Sequence, residues 1–417
     1  MKSYPKYKDS EIDWLEEIPY HWKSIRLKFL ASIYTGDKDT VNRVDDGKYP
    51  FFVRSQTVER INTYSYDGEA VLTAGDGVGV GKVFHYYNGK FDFHQRVYKI
   101  SNFEQIDGKY FYYYFMQNFH KEVLKISAKS TVDSLRLPML QNFRVSFGSL
   151  DEQRIIASFL DQKLNQIDTL IVNKKQMIEL LKEERAAIIN QAVTKGINPD
   201  AEMKDSGIEW LGEVPKHWII SKLKYLSRIR YGLGQPPKQV EGGLPMIRAT
   251  NVERGRIVKK DMMFVSSEDV PKEREPFLCE NEIIVVRSGA YTADSAIIPK
   301  EYEGAVAGYD MVVTPKAIQP KFLSYGLLSQ YILNFQLDIQ KLRAAQPHLN
   351  AEELGATLVL CPPFHEQTII TEYITKRVSE IDKTIELAIK EISLFEEYRI
   401  ALINEAVTGK IDVRGNL

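Results

Sequence analysis

Two short polar segments of this chain share the frame Arg-x-x-x-Val-Glu-Arg, at residues 54–60 and 248–254. Their middle residues differ, with Gln56 in the first segment and Asn251 in the second. Arg, Gln and Asn are the side chains that make bidentate contacts to guanine or adenine edges in the major groove. The segments therefore predict two different base readers on one scaffold, or else Arg–Glu pairs at strand ends. The candidate base contacts are Arg54, Gln56, Arg60, Arg248, Asn251 and Arg254.

A glycine-rich run, Gly75-Asp-Gly-Val-Gly-Val-Gly-Lys82, is the second candidate for chemistry. A phosphate-binding Walker loop needs Gly five residues before its Gly-Lys pair and Ser or Thr after it. Asp76 and Val83 occupy those positions here. The run instead indicates a hairpin or a close backbone approach to a ligand, with Lys82 as a candidate contact to a DNA phosphate.

No segment carries a complete catalytic motif. Cys361-Pro-Pro-Phe364 resembles the Asn-Pro-Pro-Tyr signature of amino-methyltransferases, but a cysteine cannot accept the target amine, so a strand-to-helix linker is the better interpretation. The seven histidines show no metal-binding spacing, and two cysteines provide neither a disulfide framework nor a metal site. We therefore predict no catalytic residues, no bound metal and a reducing, cytoplasmic location.

The bulk properties indicate a globular chain of two domains. A length of 417 residues is too great for one core, and 44% hydrophobic and 27% charged residues are ordinary values. No apolar run is long enough to span a bilayer, and the N-terminal residues do not resemble a secretory signal. A net charge of −1 means that any nucleic-acid surface must be local, and that DNA binding needs a basic partner or is weak.

The chain is a tandem duplication. Its four tryptophans all lie in two copies of one motif, Asp9-Ser-Glu-Ile-Asp-Trp-Leu-Glu-Glu-Ile-Pro-Tyr-His-Trp22 and Asp205-Ser-Gly-Ile-Glu-Trp-Leu-Gly-Glu-Val-Pro-Lys-His-Trp218. A second pair of copies, Glu152-Gln-Arg-Ile-Ile156 and Glu366-Gln-Thr-Ile-Ile370, opens two long heptad-patterned segments. Each repeat is thus predicted to be a globular part followed by a helix.

The heptad pattern predicts which side chains form the interface between the two helices. In the first copy they are Leu160, Leu164, Ile167, Ile171, Ile178, Leu181 and Ile188, with Lys174 and Arg185 as polar members. In the second copy they are Ile374, Val378, Ile381, Ile385, Ile392, Phe395 and Leu402, with Ala388 and Arg399 in the same register.

Connectivity predicts that the helices are antiparallel, because the second globular part joins the end of one to the start of the other. The expected fold is α+β: two tandem globular domains and an antiparallel coiled coil, with approximate two-fold symmetry and a circular layout. The globular parts would lie at opposite ends of the helix pair. Two independent domains with separate amphipathic helices are the alternative.

The first globular part is predicted to be mostly β with some helix. Tyr49-Pro-Phe-Phe-Val-Arg54 and Ala70-Val-Leu-Thr73 have the composition of strands. The aromatic run Tyr110–Phe119 could stack on bases, but its helical spacing favours a buried helix.

The duplicated Trp motif, the two Glu-Gln-x-Ile-Ile openings and the Ala-Val-Thr endings together resemble the specificity subunits of type I restriction-modification systems. The resemblance covers nearly the whole chain and implies a target recognition domain at 1–150, a conserved helix at 151–196, a second recognition domain at 197–364 and a second helix with its tail at 365–417. It implies a non-catalytic subunit that reads a bipartite double-stranded DNA site, with the helices setting the gap.

The resemblance also implies partners: two modification subunits that dock on the helices, carry S-adenosylmethionine and methylate adenine, and motor-nuclease subunits. One departure is that family members commonly have Pro-Pro before Glu-Gln, as at Pro362-Pro363, whereas the first repeat has Gly148-Ser149. This departure leaves the backbone of the first junction open. Two rival classes also stay open, a stand-alone methyltransferase or nuclease and a coiled-coil scaffold that never touches nucleic acid.

Overall fold

The computed structural model describes residues 2–127, 134–338 and 347–415. The chain forms two compact units, which we call the first unit (Met1–Lys175 with Ile389–Leu417) and the second unit (Gln176–Ala388). The division falls inside each of two long helices, so each unit contains a globular part and one portion of both helices. No helix among the described residues is long and apolar enough to cross a membrane.

The first unit is built on a six-stranded sheet in the order β4-β9-β7-β8-β5-β6. Its strands are β1 (Tyr7–Ile12), β2 (Leu15–Pro19), β3 (Lys23–Arg26), β4 (Ser32–Thr35), β5 (Tyr49–Phe52), β6 (Glu59–Ile61), β7 (Tyr66–Ala74), β8 (Phe84–Phe93), β9 (Val97–Ser101) and β10 (Arg144–Phe147). Its helices are α1 (Gly108–Ser127), α2 (Leu137–Asn142) and the start of α3 (Leu150–Lys195).

The aromatic run lies in α1 and is packing, as its spacing predicts. Five of its rings are fully buried: Tyr110, Phe111, Tyr114, Phe115 and Phe119. They form edge and tilted contacts with one another and with Phe143. The run is therefore not available to stack on bases.

The second unit contains a four-stranded sheet, β14-β22-β19-β20, a three-stranded sheet, β18-β15-β21, and the two-stranded pairs β11-β12, β13-β23 and β16-β17. Its strands are β11 (Met203–Asp205), β12 (Glu213–Pro215), β13 (Ile219–Lys222), β14 (Ser227–Tyr231), β15 (Gln239–Ile247), β16 (Val252–Glu253), β17 (Arg256–Ile257), β18 (Met263–Val265), β19 (Ile283–Val285), β20 (Ser295–Ile297), β21 (Val306–Ala307), β22 (Met311–Pro315) and β23 (Leu358–Cys361). Its helices are α4 (Leu223–Leu226), α5 (Pro320–Leu327), α6 (Gln330–Ile332), α7 (Ala351–Ala356) and the start of α8 (Phe364–Val407).

The same small elements frame both units. A Trp-motif hairpin opens each repeat, as β1–β2 in the first and β11–β12 in the second. An antiparallel pair then closes each globular part, with β3 bound to β10 and β13 bound to β23. Because β10 and β23 lead directly into α3 and α8, each pair fixes the point where a long helix leaves its globular part.

The long helices pair in antiparallel fashion, and the α+β prediction is confirmed. In the first unit, Asp168 and Lys174 of α3 form ion pairs with Arg399 and Glu391 of α8. Residue numbers therefore increase along α3 while those of the contacting residues in α8 decrease, as in antiparallel helices. In the second unit Arg185 pairs with Asp382, whereas Gly196 just beyond α3 lies beside Glu366. The two Arg–Asp pairs use the same positions of the two repeats with the roles exchanged.

Most of the predicted interface side chains are buried. In the first unit these are Leu160, Leu164, Ile167, Ile171 and Leu402, with Ile392 and Phe395 half-buried against them. In the second unit Ile178, Ile374, Val378 and Ile381 are buried, and Leu181, Ile188 and Ile385 are half-buried. Towards the end of each helix burial moves to Ile189 and Ile403, because the helix there also packs against the globular part.

A carboxylate at the start of each long helix holds the Trp motif. Glu152 Oε1 accepts from the Trp22 indole at 3.1 Å, and its Oε2 lies 2.9 Å from His21 Nε2. Glu366 makes the same two contacts with Trp218 and His217, at 3.1 and 2.7 Å. We call these two arrangements the Glu–Trp clamps. They account for the repetition of His, Trp and Glu in the sequence.

Glycines give the clamps room. A Cβ on Gly148 would lie 2.1 Å from Glu152 Oε2, so this position of the first repeat has no room for a side chain, whereas the second repeat makes the same clamp with Pro362 at the corresponding position. Beyond the helix ends, Gly196 and Gly409 both have positive φ. Their faces lie against Trp218 and Trp22 respectively. A glycine in this conformation just past the last turn is a common way for a helix to end.

The second residue of each Glu-Gln pair fixes the helix to its globular part. The Gln153 side chain accepts from the Asp107 backbone N–H and donates to the Gly148 carbonyl. Gln367 accepts from the Gln319 N–H and donates to the Pro362 carbonyl. The two junctions are therefore alike despite their different residues before Glu-Gln.

The ends of the described chain meet in the first unit, as the circular layout predicts. The Asp412 N–H donates to the Lys2 carbonyl at 2.7 Å, and the Tyr7 hydroxyl donates to the Gly409 carbonyl at 3.1 Å. The segment after α8 thus packs where, in the second repeat, the segment after α3 packs.

Replacing Glu152 with alanine should lower the free energy of unfolding of the first unit by about 1–3 kcal/mol, because the buried Trp22 N–H loses its acceptor. The Tyr4 hydroxyl, which donates to the same carboxylate, also loses its partner. Scanning calorimetry on the full chain would measure the shift. Asp151→Ala is the matched control, since that neighbouring carboxylate is exposed, and its loss should cost under about 1 kcal/mol. Equal shifts in both variants would contradict the clamp.

Candidate nucleic-acid interface

Three loop segments of the first unit meet at one edge of its sheet. Arg54 follows β5, Asp76 follows β7 and Arg96 precedes β9. The Asp76 carboxylate accepts from Arg54 Nη1 at 2.9 Å and from Arg96 Nη1 at 2.6 Å. Burial alone would raise the pKa of Asp76, but the two guanidinium groups outweigh it and hold this pKa below its usual value. Two exposed cations are thereby fixed on one carboxylate, a net positive group suited to a DNA surface.

The structure distributes the other predicted residues of the first repeat. Gln56 is exposed, and its amide makes only a long 3.4 Å contact to the Phe84 carbonyl. Arg60 is exposed too, but its guanidinium donates to the Gly47 and Lys48 carbonyls at 2.9 and 3.0 Å. These donors therefore stabilise a loop, and a base contact by Arg60 stays a prediction.

The glycine-rich run is a tight turn that packs on the Arg54 segment. A Cβ on Gly79 would lie 2.7 Å from the Arg54 carbonyl oxygen, so this position has no room for a side chain. Gly77 and Gly81 have positive φ. Lys82 is exposed at the end of the turn. The run is thus a close approach of one protein segment to another, and Lys82 stays a candidate phosphate contact.

The corresponding edge of the second unit has Arg287 at its centre. Its guanidinium carbon lies 4.6 Å from the Tyr231 ring centroid and 4.2 Å from that of Tyr309. The Arg287 Nη2 lies 3.4 Å from His348 Nε2. Tyr231 ends β14, Arg287 follows β19 and Tyr309 precedes β22, so three loop segments again converge.

The Asp310 carboxylate connects two backbone segments at this edge. Its carboxylate accepts from the Arg287 backbone N–H at 3.2 Å, and the Ala249 N–H also donates to it. The group is buried, and burial raises its pKa to about 6 against the lowering effect of these hydrogen bonds and of the Arg287 charge. Asp310 thereby ties the Arg248 segment to the Arg287 loop.

The predicted residues of the second repeat also separate into different roles. Arg248 is half-buried beside Gly308, with Nη2 donating to the Asp261 carbonyl at 2.7 Å. Asn251 is fully buried, and its amide donates to the Val258 and Lys260 carbonyls while its oxygen accepts from the Arg248 N–H. Asn251 therefore shapes a loop and does not face a base, which corrects that prediction. Arg254 is exposed in the turn between β16 and β17.

The two edges are built on one framework. The Leu135 N–H donates to the Gly75 carbonyl at 2.7 Å, and the Leu349 N–H donates to the Arg287 carbonyl at 2.8 Å. The next residues, Asp76 and Ser288, each form a β-bridge to the residue before that leucine. Gly75 and Arg287 thus occupy the same position in the two repeats, and so do Asp76 and Ser288. One framework presents different side chains in each unit.

Sequence reasoning missed Arg96, Tyr231, Arg287, Tyr309 and His348. Their convergence depends on long-range strand pairing, which a single sequence does not reveal. One signal was available, since Arg287-Ser-Gly aligns with Gly75-Asp-Gly as the counterpart of the glycine-rich run. At that position the second repeat has the charged Arg287 where the first repeat has Gly75. This difference indicates where the two loop edges diverge.

The geometry supports neither methyl transfer at Cys361 nor, among the described residues, a metal site. Burial raises the pKa of the Cys361 thiol to about 11, and its Sγ lies near the Val359 carbonyl at the end of β23. Cys361 is thus a protonated thiol in a strand-to-helix linker. Within residues 2–127, 134–338 and 347–415, no group of three His, Cys, Asp or Glu side chains could hold a metal ion.

Replacing Asp310 with asparagine should stabilise the second unit at pH 7.5 by about 1–3 kcal/mol. The folded carboxyl has a pKa of about 6, above its usual value of about 3.9, so wild-type stability falls as the pH rises through this window. The gain should shrink below about 1 kcal/mol at pH 4.5. Calorimetry at both pH values would test this, with exposed Asp269→Asn as control. A variant less stable than the wild type at pH 7.5 would contradict it.

Curated relatives match most of this chain. It is 24% identical over 392 residues to the type I restriction enzyme EcoDI specificity subunit of Escherichia coli, which covers 88% of this chain and 82% of the relative. It is 24% identical over 436 residues to the MjaVIII specificity subunit of Methanocaldococcus jannaschii, which covers 99% and 98%.

Solved structures share the fold. A chain from a structural study of complex assembly and conformational transition in a type I restriction-modification system has a TM-score of 0.70 at 10% identity, covering 94% of this chain and 99% of that one. The HsdS subunit of Thermoanaerobacter tengcongensis has a TM-score of 0.54 at 12% identity, covering 94% and 98%.

The model of one protein family matches this sequence twice. The type I restriction modification DNA specificity domain aligns with residues 19–180 and again with residues 215–391, so each repeat contains one copy. Each match begins inside a Trp motif and ends inside a long helix. Since the two matches cover well over half of its length, the chain belongs to the family of specificity subunits of type I restriction-modification systems.

Proposed function

We propose that this chain is the non-catalytic DNA-recognition subunit of a type I restriction-modification complex, in which each repeat reads one half of a bipartite double-stranded target. The observation that carries this proposal is the repeated edge: one loop framework bears Arg54, Asp76 and Arg96 in the first unit and Arg287 with two tyrosines in the second. A duplicated framework with different polar side chains is what two distinct half-sites require.

The paired helices would set the gap between the half-sites. The buried interface and the Arg–Asp pairs fix the two helices to each other within each unit. The number of residues in the helices would therefore set the length of the spacer. The Glu–Trp clamps and Gln153 and Gln367 fix each globular part to its helix. A reader held in this way transmits any change in helix length to its position on DNA.

The helices would also dock two modification subunits. Apolar side chains more than 40% exposed on them include Leu170, Val172, Leu394, Tyr398 and Ile400 in the first unit, and Leu180, Ile369 and Leu387 in the second. Such exposed apolar side chains on a helix favour protein partners over solvent. The modification subunits would carry S-adenosylmethionine and methylate adenine, and motor-nuclease subunits would complete the restriction complex.

Exchanging residues 27–143 for the corresponding segment of a relative should change one half of the methylated target and leave the other half and the gap unaltered. These junctions retain the β3–β10 pair and the first Glu–Trp clamp. Sequencing that detects methylated adenine, in cells that express the hybrid with its modification subunits, would give the target.

The matched control is exchange of residues 223–357, which lie between β13 and β23. It should change only the other half. Alteration of both halves by either exchange would contradict the division of labour. Methyl transfer by the purified chain without modification subunits would favour a stand-alone enzyme, and absence of DNA binding by the assembled complex would favour a scaffold.

Inserting one heptad after Lys175 in α3 and one after Lys390 in α8 should lengthen the gap by about three base pairs and preserve both half-sites. Seven residues add about 10 Å of helix and keep the interface register, and one base pair rises about 3.4 Å. The ion pair between Lys174 and Glu391 marks the level at which the two insertions match. The same methylation mapping would measure the gap.

Insertion in α3 alone is the control, because it mismatches the helices and should reduce the yield of assembled complex. An unchanged gap in the double insertion would contradict the proposed role of the helices as a spacer. New half-site sequences would contradict it too.

A further inference from the structure

We infer that Arg287 reads a guanine through its major-groove edge in the half-site of the second repeat. This inference rests on the proposed function and names the side chain and the base that carry part of its specificity. The described residues support it through a fixed guanidinium, the lack of an ion pair, available donors, aromatic surroundings and the divergence of this position between the repeats.

The guanidinium of Arg287 is held in place before any ligand binds. It stacks over the Tyr231 and Tyr309 rings at 4.6 and 4.2 Å. The Tyr231 hydroxyl accepts from the Ala351 N–H at 2.9 Å, which fixes that ring to the start of α7. The Arg287 backbone is bound on both sides, by Asp310 and by Leu349. Such preorganisation lowers the entropy cost of a specific contact.

Among the described residues, no carboxylate lies within ion-pair distance of the Arg287 guanidinium. The nearby Asp310 feels its charge but accepts from its backbone N–H. Arg54, Arg96 and the half-buried Arg230 differ, since the first two pair with Asp76 and the third pairs with Glu282. A guanidinium that stacks on tyrosine rings and has no carboxylate partner is suited to bind an acceptor on another molecule.

The donors that remain have the right arrangement. Nε is buried without a partner, and Nη2 makes only the long contact with His348, while Nη1 has no hydrogen bond to any residue the structure describes. The terminal Nη1 and Nη2 pair can donate two parallel bonds. Guanine O6 and N7 are the acceptors that match this fork in the major groove, and this is the commonest specific contact of arginine with DNA.

The surroundings favour a base over a phosphate. Tyr231 and Tyr309 are 42% and 45% exposed, and Tyr291 of the same loop is 52% exposed. Exposed aromatic rings beside an arginine offer apolar surface to a base, and it is the base edges that carry the sequence information. The first repeat has Gly75 at the Arg287 position, so this reader belongs to one half-site only.

The test uses the assembled methyltransferase and duplexes of its mapped target. Each guanine in the half-site assigned to the second repeat is replaced singly by 7-deazaguanine, which lacks the N7 acceptor, and Kd is measured at fixed salt. For the wild type, one replacement should weaken binding between about 5-fold and 150-fold. Arg287→Gln should lose a similar factor on natural DNA and show no further loss on that replacement.

Two more variants keep the result interpretable. Arg287→Lys keeps the charge but replaces the stacked fork with a flexible ammonium, and should retain at most part of the discrimination, even where Arg287→Gln folds poorly. Arg228→Gln removes an exposed arginine of β14 that pairs with Glu275, and should behave as the wild type.

Three outcomes would overturn the inference: a second half-site without guanine, equal sensitivity of the wild type and the Arg287 variants to 7-deazaguanine, or a uniform loss of affinity with a smaller salt dependence, which would mark a phosphate contact. A wild-type complex that methylates no bipartite site would instead reject the proposed function.

Discussion

A carboxylate at the start of each long helix, buried at Glu152 and half-buried at Glu366, is the interaction on which the rest of this molecule depends. Glu152 and Glu366 each accept from an indole and contact a histidine of the Trp motif that opens their repeat. The adjacent glutamines bind the backbone at the junction of helix and globular part. Neither helix can bury an apolar stripe alone, so the clamp, the helix pair and the globular part stabilise one another within each unit.

Because the clamps and the helix pair hold each unit together, the side chains at the loop edges can differ between the repeats. Asp76 in the first unit and Asp310 in the second each hold neighbouring segments together, yet one binds two guanidinium groups and the other binds backbone N–H groups beneath Arg287. Side chains at these edges contribute little to the buried interface of the helices. Under the proposed function, specificity would change through a few loop residues while the clamps and the helix pair persist.

The sequence predicted the features that repeat or follow a regular period. The duplication, both long helices, their antiparallel pairing and the buried aromatic helix α1 are confirmed, since each rests on local spacing or on connectivity. The predicted base contacts take different roles in the structure, because polar side chains in loops often form hydrogen bonds with backbone groups instead. Asn251 and Arg60 do so here. Arg96 and Arg287 reach the edges only through strand pairing between distant segments, and their roles remain proposals.

We propose that one polypeptide presents two different readers at a fixed separation. A map of methylated adenines in the genome of cells that carry this chain with its modification subunits, compared with cells that lack it, would test this directly. We expect one recurrent target made of two unlike specified segments with an unspecified stretch of constant length between them. A single contiguous target, or a stretch of variable length between the segments, would contradict it.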